Sequence, residues 1–325
     1  MWRECMAADV SIVVTIYNAE EYIDNCLDML TRQTLKNIEI ICVDDGSADG
    51  SLGRLQAYSS RDERIRVFTE ENKGAGAARN RGLTEATGKY MLFLDCDDFF
   101  EPDMVQQAYE KAEEQGAEIV IYKSDQYNMD SGEFVYENWA MLEWALPPYE
   151  PFGYRQISTN IFKAFVGWAW DKLYLREFVA KNDLKFQEQR TTNDALFVFS
   201  ALVLAEKIST VRKILIHRRV DTADSLSKTR EKSWDNFYRM LLALRQFLKD
   251  REKWNELEKD FVNYALHFSL WNYNTLAEPT KTKLRNKLVS EWFEELGIRQ
   301  RHKEYFYNEY EYSQYEAMLK LQDTP

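Results

Sequence analysis

Short apolar segments alternate with helical segments along the first part of the chain, and this alternation constrains the fold more than any other feature. The apolar segments are rich in β-branched residues and nearly continuous, which is typical of strands covered on both faces. There are five of them: VSIVVTIYN (10–18), IEIICVDDGS (38–47), RIRVFTE (64–70), KYMLFLD (89–95) and AEIVIYKSDQY (117–127). Strands separated by single helices predict an α/β fold with a mostly parallel sheet flanked by helices.

Polar residues follow three of these strands at their carboxyl ends. They occupy positions 15–18, 44–47 and 95–98. The carboxyl ends of parallel strands meet at one edge of a sheet, and ligands of such folds bind there. We therefore expect these three polar segments to form one site.

The remainder of the chain has a different character. The segment from about 128 to 165 is aromatic and irregular, and we expect it to cross the sheet edge, with a lid as one role for it. From residue 229 the sequence repeats apolar residues at helical spacing. We predict a first domain over residues 1–228 and a smaller α-helical domain over 229–325, which ends in a tyrosine cluster at 304–319.

Charge and composition exclude several classes of protein. The chain has 42 Lys and Arg against 54 Asp and Glu, a net charge of −12, which argues against a nucleic-acid-binding protein with a basic face. Four scattered cysteines without a CxxC pair favour free buried thiols over a zinc site or disulfide scaffold. No apolar run reaches the roughly 20 residues that span a bilayer, and no signal peptide is visible. These features predict a cytoplasmic protein, and they are compatible with docking on the inner face of a membrane.

The glycine-rich segment NKGAGAARNRG (72–82) is not a dinucleotide-binding fingerprint, because Arg79 stands where the third glycine of GxGxxG belongs. A loop that enters a helix with Lys73, Arg79 and Arg81 nearby suits a diphosphate. The alternative is an ordinary loop with solvated basic residues.

Two acidic segments at strand ends allow two interpretations each. In VDDGSADGS (43–51), Asp44 and Asp45 either bind a uracil ring or a ribose hydroxyl, or belong to a turn that precedes a helix. In LFLDCDDFF (92–100), Asp95 and Asp97 either project toward a shared Mg²⁺ or Mn²⁺, or form a solvated turn. Asp98 is then a turn residue or a residue behind the metal ligands, and Cys96 points away.

The order and spacing of these segments closely resemble the N-terminal domain of family 2 glycosyltransferases, which are inverting enzymes of the GT-A fold. The resemblance covers about the first 125 residues, with Thr15 at a position where many members have proline. It continues more loosely through GWAWDKLYLREFVAKNDLKF, TTNDALFVFSALVLAEKI and HRRVDTADSLS, and it ends near residue 228. It divides the predicted first domain into a nucleotide-sugar-binding half (1–125) and an acceptor half (126–228).

The resemblance also implies roles for individual residues. Asp194, in the place of an ED pair that here reads Asn193-Asp194, would be the catalytic base. Asp95 and Asp97 would form the DxD element that holds Mn²⁺ or Mg²⁺, with Asp95 near the ribose or the metal. The residues implied in binding the donor nucleotide are Thr15, Tyr17, Asp44, Asp45, Arg79 and Asp95, and Lys172 and Arg219 match positions that often face phosphates or the acceptor.

The function that follows is the transfer of a sugar from a UDP-sugar to a hydroxyl group of a carbohydrate-bearing acceptor. The resemblance implies a glycan, glycolipid or glycoprotein of a bacterial surface pathway as that acceptor. The alternatives are a sugar-phosphate nucleotidyltransferase, whose glycine-rich, lysine-containing N-terminal loop is absent here, and a non-catalytic nucleotide-sugar-binding module or scaffold.

Some residues keep a structural explanation beside the functional one. Asp194 is also a candidate helix N-cap for ALFVFSALVLA, and His217 is more often structural than a metal ligand. Trp168 and Trp170 either stack on a sugar or pack in the core. The aromatic residues of the C-terminal helical region are compatible with a homo-oligomer interface.

Overall fold

A computed structural model describes residues 8–129, 131–220, 226–299 and 301–320. Its strands are β1 (Val10–Ile16), β2 (Ile38–Asp44), β3 (Ile65–Thr69), β4 (Tyr90–Asp95), β5 (Phe99–Phe100), β6 (Ile119–Asn128), β7 (Phe134–Tyr136), β8 (Lys172–Leu175) and β9 (Ile208–Val220). The helices of the same region are α1 (Glu20–Thr31), α2 (Ser51–Ser59), α3 (Ala75–Glu85), α4 (Met104–Gln115), α5 (Ile161–Ala164), α6 (Arg176–Lys181) and α7 (Ala195–Leu204).

These strands form one sheet in the order β3-β2-β1-β4-β8-β6-β9-β5, with β7 paired to β6. The first four strands are parallel, as predicted. Beyond β4 the sheet is mixed, because β8 runs antiparallel to both β4 and β6, while β6 and β9 are parallel. The sequence pattern did not predict β8 and β9, since β8 is only four residues long and β9 is interrupted by charged residues.

Helices cover both faces of the sheet at its centre. Ile12 and Val14 of β1 belong to the apolar cluster that α1 and α4 form on one face. Val13, between them, faces the other side, where Gly82 of α3 lies against it. Each buried aliphatic side chain of this kind stabilises the fold by about 1.5–3 kcal/mol.

The segment between β6 and β8 contains only short elements, as the irregular sequence predicted. They are β7, two 3₁₀ turns (Glu143–Ala145 and Tyr154–Gln156) and α5. Three of the four cysteines, Cys26, Cys42 and Cys96, are buried free thiols, as expected. Cys5 lies outside the described residues.

The C-terminal region is helical, as predicted. Its helices are α8 (Asn236–Asp250), α9 (Trp254–Thr275), α10 (Thr280–Lys287), α11 (Phe293–Glu295) and α12 (Glu309–Lys320), with a π-helical turn at Leu288–Trp292. On α8 the buried residues Met240, Leu241, Leu244 and Leu248 recur at helical spacing. None of the helices described here is both long enough and apolar enough to cross a bilayer.

The chain divides into two compact units. One comprises the described residues up to Thr159, Ala164–Gln189 and Asn193 to the end of β9. The other comprises Asn160–Lys163, Arg190–Thr192 and the described residues after 225. The domain boundary after residue 228 remains a prediction.

Candidate active site

The carboxyl ends of β1, β2 and β4 lie side by side, as their polar residues predicted. Ile16 of β1 is in register with Asp44 of β2, and Thr15 is in register with Asp95 of β4. The Thr15 hydroxyl donates a hydrogen bond to Asp95 Oδ1 across 3.3 Å. Tyr17, which follows the last residue of β1, is 54% exposed, so its ring is accessible to a ligand at this edge.

Asp44 and Asp45 hold the loops around them. Asp45 accepts hydrogen bonds from the amides of Lys73 and Gly74, both at 2.8 Å, and Asp44 accepts one from the amide of Ser47 at 3.3 Å. Both carboxylates are almost completely buried. Asp44 thus makes the local contact that the turn interpretation predicted. Asp45 fixes the loop that leads into α3, which that interpretation did not anticipate because Lys73 and Gly74 are almost 30 residues away in sequence.

Arg79 joins the DxD segment to the loop that precedes Asp194. Its Nη2 donates to Asp95 Oδ1 at 2.7 Å and its Nη1 donates to Asn193 Oδ1 at 2.7 Å. The guanidinium is almost buried and also lies 5.6 Å from the centre of the Phe186 ring. In this conformation Arg79 connects the segment of Asp95 to the segment of Asn193 and Asp194 through direct hydrogen bonds. This role is additional to the donor-binding role that the resemblance implied.

The acids after β4 alternate in their exposure. Asp95 and Asp97 are partly exposed, whereas Cys96 and Asp98 are buried, which agrees with the expectation that Cys96 points away from the site. The pKa of Asp97 is raised to about 6, first by burial and next by the negative charge of Asp95. The pKa of Asp98 is also raised well above its usual value, first by burial and next by repulsion from the negative charges of Asp97 and Asp95. A positive charge beside these three acids would therefore favour their ionised forms.

This segment suits a hard divalent cation. Within the described chain, no group of three or more His, Cys, Asp or Glu side chains is arranged to enclose a metal ion. Mg²⁺ in nucleotide sites usually takes one or two carboxylates together with substrate phosphate oxygens and water. The two carboxylates of Asp95 and Asp97 match that pattern, and the hydrogen bonds from Thr15 and Arg79 to the Asp95 carboxylate both fall on Oδ1.

Asp194 stands at the N-cap position of α7, yet its carboxylate makes no capping hydrogen bond to that fully described helix. Burial raises the pKa of Asp194, while the positive charge of Arg79 acts in the opposite direction. A carboxylate with a raised pKa and no capping partner is better suited to accept a proton than to close a helix. The N-cap position is therefore not the explanation of this residue.

Lys172 is a buried residue in this conformation. Its Nζ donates to the carbonyl oxygens of Val166 and Trp168 at 3.0 and 2.8 Å and pairs with Asp171 at 2.5 Å. Burial lowers the pKa of Lys172 and raises that of Asp171 to about 6. Its position beneath the loop at 166–171 makes it a support for that loop, and its implied contact with phosphate or acceptor remains a prediction.

Arg219 and His217 flank the acidic segment from β9. Arg219 donates through Nε to the Asp97 carbonyl oxygen at 2.7 Å, and its backbone amide donates to Asp98 Oδ1 at 3.0 Å. Both ring nitrogens of His217 are engaged, Nδ1 with Asp125 at 2.6 Å and Nε2 with Glu101 at 3.0 Å. The histidine therefore has the structural role that the sequence analysis favoured. Arg219 lies beside the acids, and its implied contact with phosphate or acceptor remains a prediction.

Gly76 allows α3 to approach the loop that carries Asn193. A Cβ atom on Gly76 would lie 2.0 Å from the Gln187 carbonyl oxygen and 3.3 Å from the Asn193 Cβ. We expect Gly76→Ala to lower the free energy of unfolding by about 1–3 kcal/mol, as other overpacked sites do, and to lower activity because the loop must shift. Chemical denaturation and an activity assay measure the two effects.

The matched control is Gly53→Ala on α2, where a Cβ would meet no described atom within 4 Å. Alanine favours a helix over glycine by about 0.5–1 kcal/mol, so this variant should be as stable as the parent or slightly more so. Equal behaviour of the two variants would show that the close approach at Gly76 is unimportant.

Three comparisons with known proteins bear on this site. A family model described as Glycosyl transferase family 2 matches residues 11–180, which run from β1 into α6. The chain is 30% identical over 284 residues to EpsH of Bacillus subtilis (strain 168), a protein with a glycosyltransferase name. That alignment covers 86% of this chain and 80% of EpsH.

Two solved structures have the same overall architecture. TarS 1-349 of S. aureus superimposes with a TM-score of 0.66 at 21% identity, covering 89% of this chain and 83% of TarS 1-349. Mannosyltransferase PcManGT of Pyrobaculum calidifontis, in complex with GDP-Man and Mn²⁺, gives a TM-score of 0.54 at 15% identity, covering 97% of this chain and 86% of PcManGT. At such identities the likeness concerns the fold.

Proposed function

The chain belongs to glycosyltransferase family 2 and has the GT-A fold, and on that premise we propose that it transfers a sugar from a UDP-sugar to a hydroxyl group of an acceptor. The proposed donor carries a hexose or an N-acetylhexosamine. The proposed acceptor is a glycan, glycolipid or glycoprotein of a bacterial surface. One observation carries the proposal. Arg79 bonds Asp95 of the DxD segment and Asn193 next to Asp194, each at 2.7 Å. It thereby holds the donor-binding acids and the proposed base in one assembly.

Asp194 is the general base of the proposed reaction. An acceptor hydroxyl is a weak nucleophile, so its proton passes to the Asp194 carboxylate as the oxygen attacks the anomeric carbon, an effect typically of about 10²–10⁴-fold. The bond from the anomeric carbon to the diphosphate breaks, and its electron pair leaves with UDP. A single displacement of this kind inverts the anomeric centre.

The donor is placed by the strand ends. We assign the uridine to the strand ends that carry Thr15, Tyr17, Asp44 and Asp45, where Tyr17 is exposed and the two buried acids bond the adjoining loops. We assign the diphosphate to the region of Asp95 and Asp97. These two carboxylates would hold Mn²⁺ or Mg²⁺, which offsets the negative charge of the UDP leaving group when it is bound. TarS has been solved with UDP and with UDP-GlcNAc, which supports a UDP-sugar over the GDP-Man bound by PcManGT.

The test is a screen of nucleotide sugars for release of the nucleoside diphosphate. We expect Mn²⁺-dependent release of UDP from at least one UDP-sugar and little release of GDP from GDP-mannose. Chelation of the metal should abolish the release of UDP, because the carboxylates of Asp95 and Asp97 would then repel the negatively charged diphosphate. The same samples, given UTP and a sugar phosphate, should release no pyrophosphate; its appearance would favour the nucleotidyltransferase alternative.

Asp97→Asn provides the matched variant for the metal. We expect it to raise the Mn²⁺ concentration needed for half-maximal UDP release by at least about tenfold, since one of two carboxylate ligands is lost. Asp62→Asn, in an ion pair with Arg64 before β3, is the control and should leave the metal dependence unchanged. Unaltered metal dependence in Asp97→Asn would remove this residue from the proposed metal site.

A further inference from the structure

Three tryptophans form a cluster in which each ring has a different exposure. Trp170 is buried, with 4% of its surface exposed, and stacks on the partly buried Trp168 with ring centres 4.6 Å apart. Trp139 meets Trp168 at 5.2 Å with the ring planes at 68°. Trp139 nevertheless remains 49% exposed, so an ordered aromatic ring is presented to solvent.

The cluster lies beside the proposed base. A Cβ atom on Gly167, the residue before Trp168, would lie 3.1 Å from the Cβ of Ala195, the residue after Asp194. Lys172 holds the same loop from below through the carbonyl oxygens of Val166 and Trp168. The position of Trp168 relative to the start of α7 is therefore fixed by packing and by buried hydrogen bonds.

The cluster also reaches the acids of the donor site. The Arg218 guanidinium carbon lies 5.0 Å from the centre of the Trp168 ring, and Nη2 pairs with the buried Glu137 at 3.2 Å. The next residue, Arg219, bonds the Asp97 carbonyl oxygen. The positive charge of Arg218 also acts on the pKa of Asp97, which it lowers. The tryptophan cluster is therefore linked to the start of α7 through Gly167 and to the acidic segment through Arg218.

The exposure of Trp139 calls for an explanation because an indole ring buries a large apolar area when it packs in a core. Here its neighbour Trp168 is fixed by Trp170 and Arg218, while about half of Trp139 stays open. An indole ring suits the apolar C–H face of a pyranose, and a guanidinium nearby suits the hydroxyl oxygens at the sugar's edge. The guanidinium favours a carbohydrate, which has hydroxyl oxygens that accept hydrogen bonds, over an aliphatic chain, which has none.

We propose that Trp139 is the stacking platform for the acceptor's terminal pyranose, with Arg218 at its polar edge, so that the reacting hydroxyl is directed to Asp194. This inference rests on the proposed function and specifies its acceptor as a sugar ring rather than a protein side chain or a lipid hydroxyl. Trp168 fixes the orientation of the platform, and Trp170 belongs to the core.

The experiment compares three variants: Trp139→Ala, Trp139→Phe and Trp144→Ala. Trp144 lies in the same segment and is 72% exposed, so it controls for the loss of any exposed tryptophan. Saturation-transfer NMR with methyl β-glucoside, methyl β-galactoside and methyl β-N-acetylglucosaminide, in the presence of UDP and Mn²⁺, measures acceptor binding. Isothermal titration with UDP measures the donor site separately.

We expect Trp139→Ala to weaken binding of at least one glycoside by about tenfold, a loss typical of an anchoring tryptophan, while Trp139→Phe and Trp144→Ala bind as the parent does. The UDP affinity should be the same in all four proteins, which also shows that each is folded. Equal glycoside binding by Trp139→Ala and Trp144→Ala overturns the platform, and so does a parent that binds none of the three glycosides. If the parent binds UDP in either case, the proposal that the protein uses a UDP-sugar donor stands. If the parent neither binds UDP nor releases it from any UDP-sugar, both proposals are overturned.

Discussion

Asp194→Asn is expected to lower the rate of sugar transfer by about 10²–10⁴-fold, the usual contribution of a general base, while UDP binds with unchanged affinity. The amide keeps the size of the side chain and removes the proton acceptor. A coupled assay of UDP release with acceptor present, together with isothermal titration of UDP, separates the two effects. Full turnover by Asp194→Asn would remove Asp194 from the reaction as its base.

The same substitution should stabilise the protein. Burial raises the pKa of Asp194 in the folded state. The contribution of such an acid to the free energy of unfolding decreases as the pH rises from its unfolded pKa to its folded pKa. At neutral pH the ionised carboxylate therefore destabilises the fold, and the amide removes that penalty. Tm should be higher for Asp194→Asn at neutral pH, and the difference should vanish in acid, where the parent is protonated as well.

The pH dependence of the rate follows from the same raised pKa. The base must be ionised, so kcat/KM should fall as the pH is lowered through a pKa above that of an ordinary aspartate. The positive charge of Arg79 opposes the effect of burial, so its removal should move this acidic limb to still higher pH. At saturating Mn²⁺, the residual activity of Asp194→Asn should lack the part of this limb that belongs to Asp194.

Arg79→Lys is expected to lower both activity and stability although the charge is conserved. A lysine ammonium lacks the planar fork that reaches Asp95 and Asn193 at the same time. One buried acceptor is then left without its partner, which costs about 1–3 kcal/mol. A shift of the base relative to the donor by about 1 Å can lower the rate about 10²-fold. Chemical denaturation and steady-state transfer measure the two losses.

Arg81→Lys is the matched control for this substitution. Arg81 lies on the same helix, is about half exposed, and pairs with Glu85 one turn away. Exposed pairs of this spacing contribute about 0.3–0.5 kcal/mol, and lysine preserves most of that. If Arg79→Lys behaved like Arg81→Lys, the bridge between the DxD segment and Asn193 would have no part in the reaction.

The sequence allowed the first half of the fold to be predicted because its information is local. The β-branched runs of β1 to β4 and the apolar spacing of α1 are set by side chains a few residues apart. β8 and β9 escaped prediction because their pairing depends on partners far along the chain. Lys172 of β8 is in register with Ile121, and His217 of β9 is in register with Asp125.

The candidate site divides in the same way. Thr15, Asp45, Asp95 and Asp97 could be placed at one edge from strand order alone, since parallel strands end together. Asn193 was noticed only as a departure from an acidic pair. Its hydrogen bond to Arg79 spans 114 residues of sequence, and no local pattern carries such a contact. Trp139 and Arg218, the residues of the proposed platform, were not predicted as functional. Trp139 lies outside the segments that carry the family resemblance, and Arg218 lies in HRRVDTADSLS but no role was implied for it.

By itself, the sequence determined the family of this protein, the parallel core of its sheet and the strand ends that carry its acids. These depend on the periodicity of two or 3.6 residues and on the order of short motifs, which are properties of neighbouring residues. The tertiary structure alone decided what those acids touch: Asp45 holds the amides of the α3 loop, Lys172 is buried under the loop at 166–171, and Arg79 joins Asp95 to Asn193. Such contacts arise only when packing brings distant segments together, because a buried charge or amide must then find whichever partner lies within reach.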